Sequence, residues 1–211
     1  DEGRHEDPII ISDNSGGGYI SWRTYTDSNP TQGELYVQHI DGDGNLSWSN
    51  PTQISADIPI KVNSQQNMCS DRSGGVFVTW YAEGYPVGDG FYYGIHITSD
   101  GSMVGPVVLI DTEDNYGNVS LESTGNGAAA IVWKQGGFGA ENIYAQRFYA
   151  NYSTGGFEKD WNDGNPLEVA TYVGRQISPK VTYFSDDFVA VVFEHWPDPN
   201  ISSIAGNFIS T

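Results

Sequence analysis

The sequence is poor in cations, cysteine and long apolar runs. Its 211 residues carry 9 Lys and Arg against 27 Asp and Glu, a formal charge of −18. Phosphate recognition requires clustered cations, so nucleic acid is excluded as an expected partner. Docking on anionic lipid is disfavoured on the same ground. Cys69 is the single cysteine, which excludes an intrachain disulfide and a disulfide-stapled scaffold. Its expected role is that of a small buried hydrophobe in a strand. No run approaches the roughly 18 apolar residues of a membrane helix, so membrane insertion is not expected. No segment shows sustained helical periodicity. The chain begins with Asp1 and shows no signal peptide, as expected of a processed product or a fragment of a longer chain.

What is present is glycine, at 26 residues, and aromatic side chains, at 13%. With 38% hydrophobic residues this suits a folded core rather than disorder, despite the charge. The length suffices to bury such a core.

Internal repetition organises these residues. Ser12-Asp-Asn-Ser-Gly-Gly-Gly-Tyr-Ile-Ser-Trp22 is followed by Ser70-Asp-Arg-Ser-Gly-Gly-Val-Phe-Val-Thr-Trp80. Ser123-Thr-Gly-Asn-Gly-Ala-Ala-Ala-Ile-Val-Trp133 keeps the plan, and Phe184-Ser-Asp-Asp-Phe-Val-Ala-Val-Val-Phe193 ends on Phe. The closing aromatics lie 58, 53 and 60 residues apart. A second segment recurs behind each: Leu35–Ile40, Tyr92–Ile97, Ile143–Phe148 and Ser203–Phe208. A third follows in three copies, at Pro51–Ser55, Pro106–Ile110 and Pro166–Ala170.

Each segment reads as a strand, because Val, Ile, Tyr, Phe and Trp dominate between Gly, Asn, Asp and Pro boundaries. The Ser-Asp-x-Ser-Gly-Gly runs sit where tight hairpins join strands a and b. Asp41-Gly-Asp-Gly-Asn45 and Ser99-Asp-Gly-Ser102 occupy the next turn. The expected class is all-β, a single repeat domain over residues 1–211. Its four units are 8–55, 62–112, 116–171 and 175–211. In the first unit strands a to d fall near 8–12, 18–25, 34–41 and 46–55. Four-stranded units of about fifty residues in tandem indicate a four-bladed β-propeller or part of a larger one. The Trp closing strand b is expected between neighbouring units.

The pattern of Ser-Asp-x-Ser-Gly-Gly, then Trp, then Ile143-Tyr-Ala-Gln-Arg-Phe148, then Gly and Trp, resembles the propeller-type repeats of large secreted and cell-surface bacterial proteins. The resemblance spans nearly the whole chain and implies architecture, with adhesion, display or scaffolding as roles. Gly94, Ile95 and Gly206 depart from it where Gln is expected.

The fourth unit ends just after strand c, with no strand d. The run Asp1-Glu-Gly-Arg-His-Glu-Asp7 is a poor strand and a poor donor for the missing one. An open edge is then expected, and an open edge pairs with other chains. Assembly into a homo-oligomer or polymer follows as the expected partnership.

No motif commits the chain to catalysis. The sialidase box fails on spacing, because Asp71 lies nine residues before Trp80, and the arginines are scattered. No phosphate loop or nucleophile elbow is present. The expectation is a chain that is not an enzyme and needs no cofactor. A glycoside-processing site with a carboxylate pair is retained as an alternative. Asp41, Asp43 and Asn45 form a weak candidate calcium loop on a turn that favours Asp and Gly anyway. Glu113-Asp114-Asn115 and Asp186-Asp187 are similarly ambiguous. His5, His39, His96 and His195 lack metal-site spacing. His39 and His96 share one repeat position, which points to a structural role or a repeated surface rather than a unique site.

Trp48, Trp161 and Trp196 lie near turns and are the candidate carbohydrate contacts. Asn45, Asn118, Asn151 and Asn200 head Asn-x-Ser sequons, candidate glycosylation sites in an extracellular or cell-surface protein. The leading expectation is an extracellular structural or adhesive repeat protein, assembling through its open edge into filaments. A carbohydrate-binding module using loop aromatics with Asn and Asp is the first alternative.

Overall fold

The structure is a computed structural model that describes residues 4–26, 29–56, 58, 60–61, 65–83, 90–112, 119–185 and 187–211. The strands are β1 (Arg4–Ser12), β2 (Gly18–Thr26), β3 (Asn29–Ile40), β4 (Thr52–Gln53), β5 (Ile60–Lys61), β6 (Gln66–Ser70), β7 (Val76–Glu83) and β8 (Gly90–Ile97). They continue as β9 (Met103–Thr112), β10 (Ser120–Gly125), β11 (Ala128–Gln135), β12 (Asn142–Asn151) and β13 (Gly156–Lys159). The last are β14 (Leu167–Ala170), β15 (Arg175–Ser185), β16 (Phe188–Asp198) and β17 (Ile201–Ser210). One short 3-10 turn, Trp161–Gly164, interrupts them.

The chain is all-β, in four sheets. The first runs β1-β2-β3-β4, with β5 also on β3; the second runs β6-β7-β8-β9. The third runs β10-β11-β12-β13, with β14 also on β12; the fourth is the three-stranded β15-β16-β17. The residues divide into two compact units, Asp1–Asp111 with Tyr152–Gly156, and Thr112–Asn151 with Phe157–Thr211.

The hairpins form where the turn chemistry places them. Asn14 and Arg72 hold φ of 62° and 63°, and Gly16 and Gly74 hold 104° and 97°. The loops close through Asp13 N to Gly17 O at 3.2 Å and Asp71 N to Gly75 O at 2.9 Å. Residues Arg4 to Glu6 correct one expectation, since this charged run is a strand, paired with Arg23 to Tyr25. An ion pair between the buried Arg23 and the exposed Asp7, an exposed one between Arg4 and Glu6, and a contact between His5 and Thr24 absorb the polarity of this stretch. It lengthens strand a of the first sheet.

Register is constant in three repeats. Trp22 pairs with Tyr36, Trp80 with Tyr93 and Trp133 with Tyr144. Each pair stacks, with centroids 5.9, 6.0 and 6.1 Å apart. In the fourth sheet Phe193 pairs with Ala205. Ile204, not Ser203, therefore occupies the position of Leu35 and Ile143, and Asn207 takes the place of Gln38 and Gln146. A one-residue shift sends every side chain to the other face.

That register defines two faces. Tyr19, Leu35 and Val37 of the first sheet pack on Val76, Val78 and Trp80 of the second in one core. Ala130, Val132, Ile143 and Ala145 of the third pack on Val189, Val191 and Phe193 of the fourth in another. In both units the face bearing the first set, here the forward face, meets the face bearing the closing aromatic, the backward face, of the next repeat.

Candidate functional site

The polar features of the first unit grow from its turns. Asp13 and Asp71 each begin an a–b turn, and each carboxylate does two jobs. Asp13 Oδ1 accepts from Ser15 N at 2.7 Å and Gly17 N at 2.9 Å. Asp71 Oδ1 accepts from Ser73 N at 2.6 Å and Gly75 N at 2.7 Å. The other oxygen of each meets a strand-c histidine, His39 Nε2 and His96 Nε2, both at 2.9 Å. All four residues are buried. Burial alone would raise both carboxyl pKa values; the histidine and backbone hydrogen bonds outweigh it and hold them below the usual range. The repeat equivalence of His39 and His96 is thus structural.

The two couples differ in their outer nitrogen. His96 Nδ1 lies 2.7 Å from the Tyr152 hydroxyl. With Nε2–H donated to Asp71, a neutral ring accepts from Tyr152 at Nδ1. His39 Nδ1 has no partner among the described residues, and its ring stacks on Tyr19 at 4.4 Å. The Tyr19 hydroxyl donates to Gly74 O at 2.6 Å, and its pKa is driven upward by burial and then by Asp71 and Asp13.

Above these couples lies the turn between β8 and β9, Thr98 to Ser102. The Asp100 carboxylate accepts from the Thr98 hydroxyl at 2.5 Å and from Ser102 N at 3.0 Å. The Thr98 hydrogen bond is the leading cause that lowers its pKa. Trp48 borders this turn on one side, its indole N–H donating to Ser99 O at 3.1 Å. Tyr152 borders it on the other, 48% exposed, set edge-on to His96 and beside Thr98. Two aromatic rings thus flank an ionised, solvent-facing carboxylate. Such a rim offers apolar ring faces and hydrogen-bond acceptors to a polyol.

The other sequence candidates fall elsewhere. Trp161 is buried, 8% exposed, in the second unit, and its Nε1 has no partner among the described residues. Trp48 and Trp161 share a repeat-specific hold. Gln38 Nε2 donates to Trp48 O at 3.0 Å, and Gln146 Nε2 donates to Trp161 O at 3.3 Å. Trp196, half-buried, donates to Glu194 at 3.2 Å. Asp41 turns its Oδ1 onto Asp43 N and Asn45 N, at 3.0 and 2.8 Å, so the candidate calcium loop caps its own backbone. No group of three or more metal-ligating residues occurs among the described residues. Asn45 and Asn200 are exposed, Asn151 is half-buried and bonded to Glu158, and Asn118 lies outside the described residues. Glu113, Asp114, Asn115 and Asp186 also lie outside them.

Sequence reasoning missed Tyr152, Tyr19 and Asp100. Tyr152 opens the turn between β12 and β13 and reaches His96 across 56 positions of sequence. No local pattern encodes that approach. A second overlooked pair is Glu141 and Arg175. The buried Glu141 carboxylate takes Arg175 Nε at 3.0 Å on both oxygens, and Arg175 lies 4.4 Å from the Phe138 ring centroid.

No protein-family model and no curated protein matches the chain. Solved structures resemble it at low identity. An alpha-L-arabinofuranosidase from Lactobacillus brevis aligns over 96% of this chain and 72% of its own, at 9% identity and a TM-score of 0.48. A thermostable family-43 glycoside hydrolase aligns over 98% and 71%, at 11% identity and a TM-score of 0.45. The intramolecular trans-sialidase from Ruminococcus gnavus aligns over 90% and 40%, at 13% identity and a TM-score of 0.47. The reading that the chain is not an enzyme is withdrawn here, since the similar chains are named as an arabinofuranosidase, a trans-sialidase and a glycoside hydrolase. Identities this low assign the chain no activity of its own.

Proposed function

We propose that this chain is a propeller-type repeat protein that binds carbohydrate at the rim formed by Trp48, Asp100 and Tyr152. The observation that supports it is the pairing of two partly exposed rings with one ionised carboxylate on a single turn. Sugar rings present C–H faces to aromatic planes and hydroxyls to carboxylates. A neutral sugar fits better than a uronate, because the chain carries a net charge of −18. This reading replaces the adhesive filament as the leading one, since the rim is built in a single chain.

Titration with a panel of neutral oligosaccharides tests it, followed by tryptophan fluorescence and calorimetry. Saturable binding is expected, and Tyr152→Ala and Asp100→Asn should each weaken it about tenfold, or about 1.4 kcal/mol. Absence of saturable binding across the panel, or binding that survives both substitutions, rejects the proposal.

A further inference from the structure

The fourth sheet exposes the face that equivalent sheets bury. Its forward face carries Phe184, Phe188, Val192, Ile204 and Phe208. Val192 is 46% exposed, although its equivalents Ser21, Thr79 and Val132 are all fully buried. Ile204 is 74% exposed, although Leu35 and Ile143 at the same position are fully buried. Phe184 and Phe208 touch each other on this face, and both are exposed. β17 pairs only with β16, so its outer edge is also open among the described residues. A contiguous apolar patch of this kind marks an interaction surface.

The first sheet shows the reciprocal shortfall. Trp22 is half-buried, although Trp80, Trp133 and Phe193 at its position are essentially inaccessible. Ile20 is half-buried, although Val78, Ile131 and Val191 are fully buried. Ile10, opposite Ile20 in register, is 69% exposed. Among the described residues, the fourth sheet therefore leaves its forward face uncovered and the first sheet its backward face. Within each unit those are the two faces that pack on each other.

We propose that a second copy of this chain covers the fourth sheet, docking the backward face of its own first sheet onto Phe184, Val192, Ile204 and Phe208. The contact is heterologous, because the two surfaces differ, so it propagates from copy to copy. Repulsion between chains of charge −18 opposes it, and salt screens that repulsion.

The test is sedimentation velocity of the intact chain over a wide concentration range, at physiological and at high salt. Wild type should form oligomers that grow with concentration and with salt. Phe208→Asp and Ile10→Asp replace exposed side chains, one on each face, and circular dichroism verifies that both variants fold. Each variant alone should remain monomeric. An equimolar mixture should form dimers and nothing larger, because each variant retains the face that the other lacks. A monomeric wild type under all conditions overturns the proposal. So does an Ile10→Asp variant that assembles like wild type, because it would show pairing of like faces or unspecific association.

Discussion

Phe184 and Phe208 meet with ring centroids 4.8 Å apart, at the repeat positions that hold Asp71 and His96 in the second sheet. Phe184 lies nine residues before the closing aromatic Phe193, as Asp71 does before Trp80. Phe208 lies three residues beyond the register partner of that aromatic, as His96 does. Asp13 and His39 fill the pair in the first sheet, and Thr124 and Arg147, 2.9 Å apart, in the third. One tertiary contact thus ties the a–b turn to strand c in all four repeats, with three different chemistries.

The buried couple should be costly to break. Asp71→Asn keeps the shape but removes the charge that His96 and two backbone amides address. A loss of about 1–3 kcal/mol is expected, read as a lower urea midpoint at unchanged slope. Tyr36→Phe, which removes only an exposed hydrogen bond to Glu34, should cost far less.

Acid should erode stability through the same carboxylates. Both Asp13 and Asp71 have pKa values depressed in the folded chain. Their contribution is complete above the unfolded carboxylate value of about 3.9 and is lost as pH falls through the lower folded values. Unfolding free energy should therefore decline on acidification below about pH 4. The Asp13→Asn/Asp71→Asn double variant should show a shallower decline, measured by urea titration at a series of pH values.

Gly75 and Gly74 make a steric contrast. A Cβ on Gly75 would lie 2.5 Å from Asp71 Oδ2 and 2.7 Å from Ile97 O. One on Gly74 would meet nothing within 4 Å, although φ there is +97°. Gly75→Ala should cost several kcal/mol by prising the turn from strand c, and Gly74→Ala only about 1–2 kcal/mol of backbone strain. Thermal unfolding of the two variants decides it.

Gln146 should be among the most sensitive polar residues of the second unit. It donates to Trp161 O and Asn165 O and accepts from Arg147 N and Trp161 N. Gln146→Ala leaves those buried groups without their partner, at about 1–3 kcal/mol for each that water does not reach. Hydrogen exchange should accelerate at Trp161 N in the variant, because that amide loses its acceptor.

Much of the fold was legible because hairpin chemistry is local. Gly16, Gly74 and the aspartates beside them specify turns wherever they occur, and Trp22, Trp80 and Trp133 mark strand b by residue type alone. Strand c of the fourth repeat was misread by one position. Its sequence lacks the Tyr that marks register, and only pairing of Phe193 with Ala205 fixes it. Arg4 to Glu6 was misread because its charges disfavour a strand; Arg4 answers Glu6 within the run and His5 meets Thr24 across the pairing.

The candidate site divides in the same way. Trp48 carries a sequence signal, being a tryptophan beside a turn. Tyr152 has none, since its meeting with His96 depends on a chain segment returning across 56 positions. Sequence by itself determined the all-β class, the repeat and the turns, because these follow from backbone freedom at glycine and from side-chain type within a few residues. Only the tertiary structure decided which aromatic rings are covered. Coverage depends on which sheet stands opposite, and an identical repeat position is buried at Trp80 and half-open at Trp22.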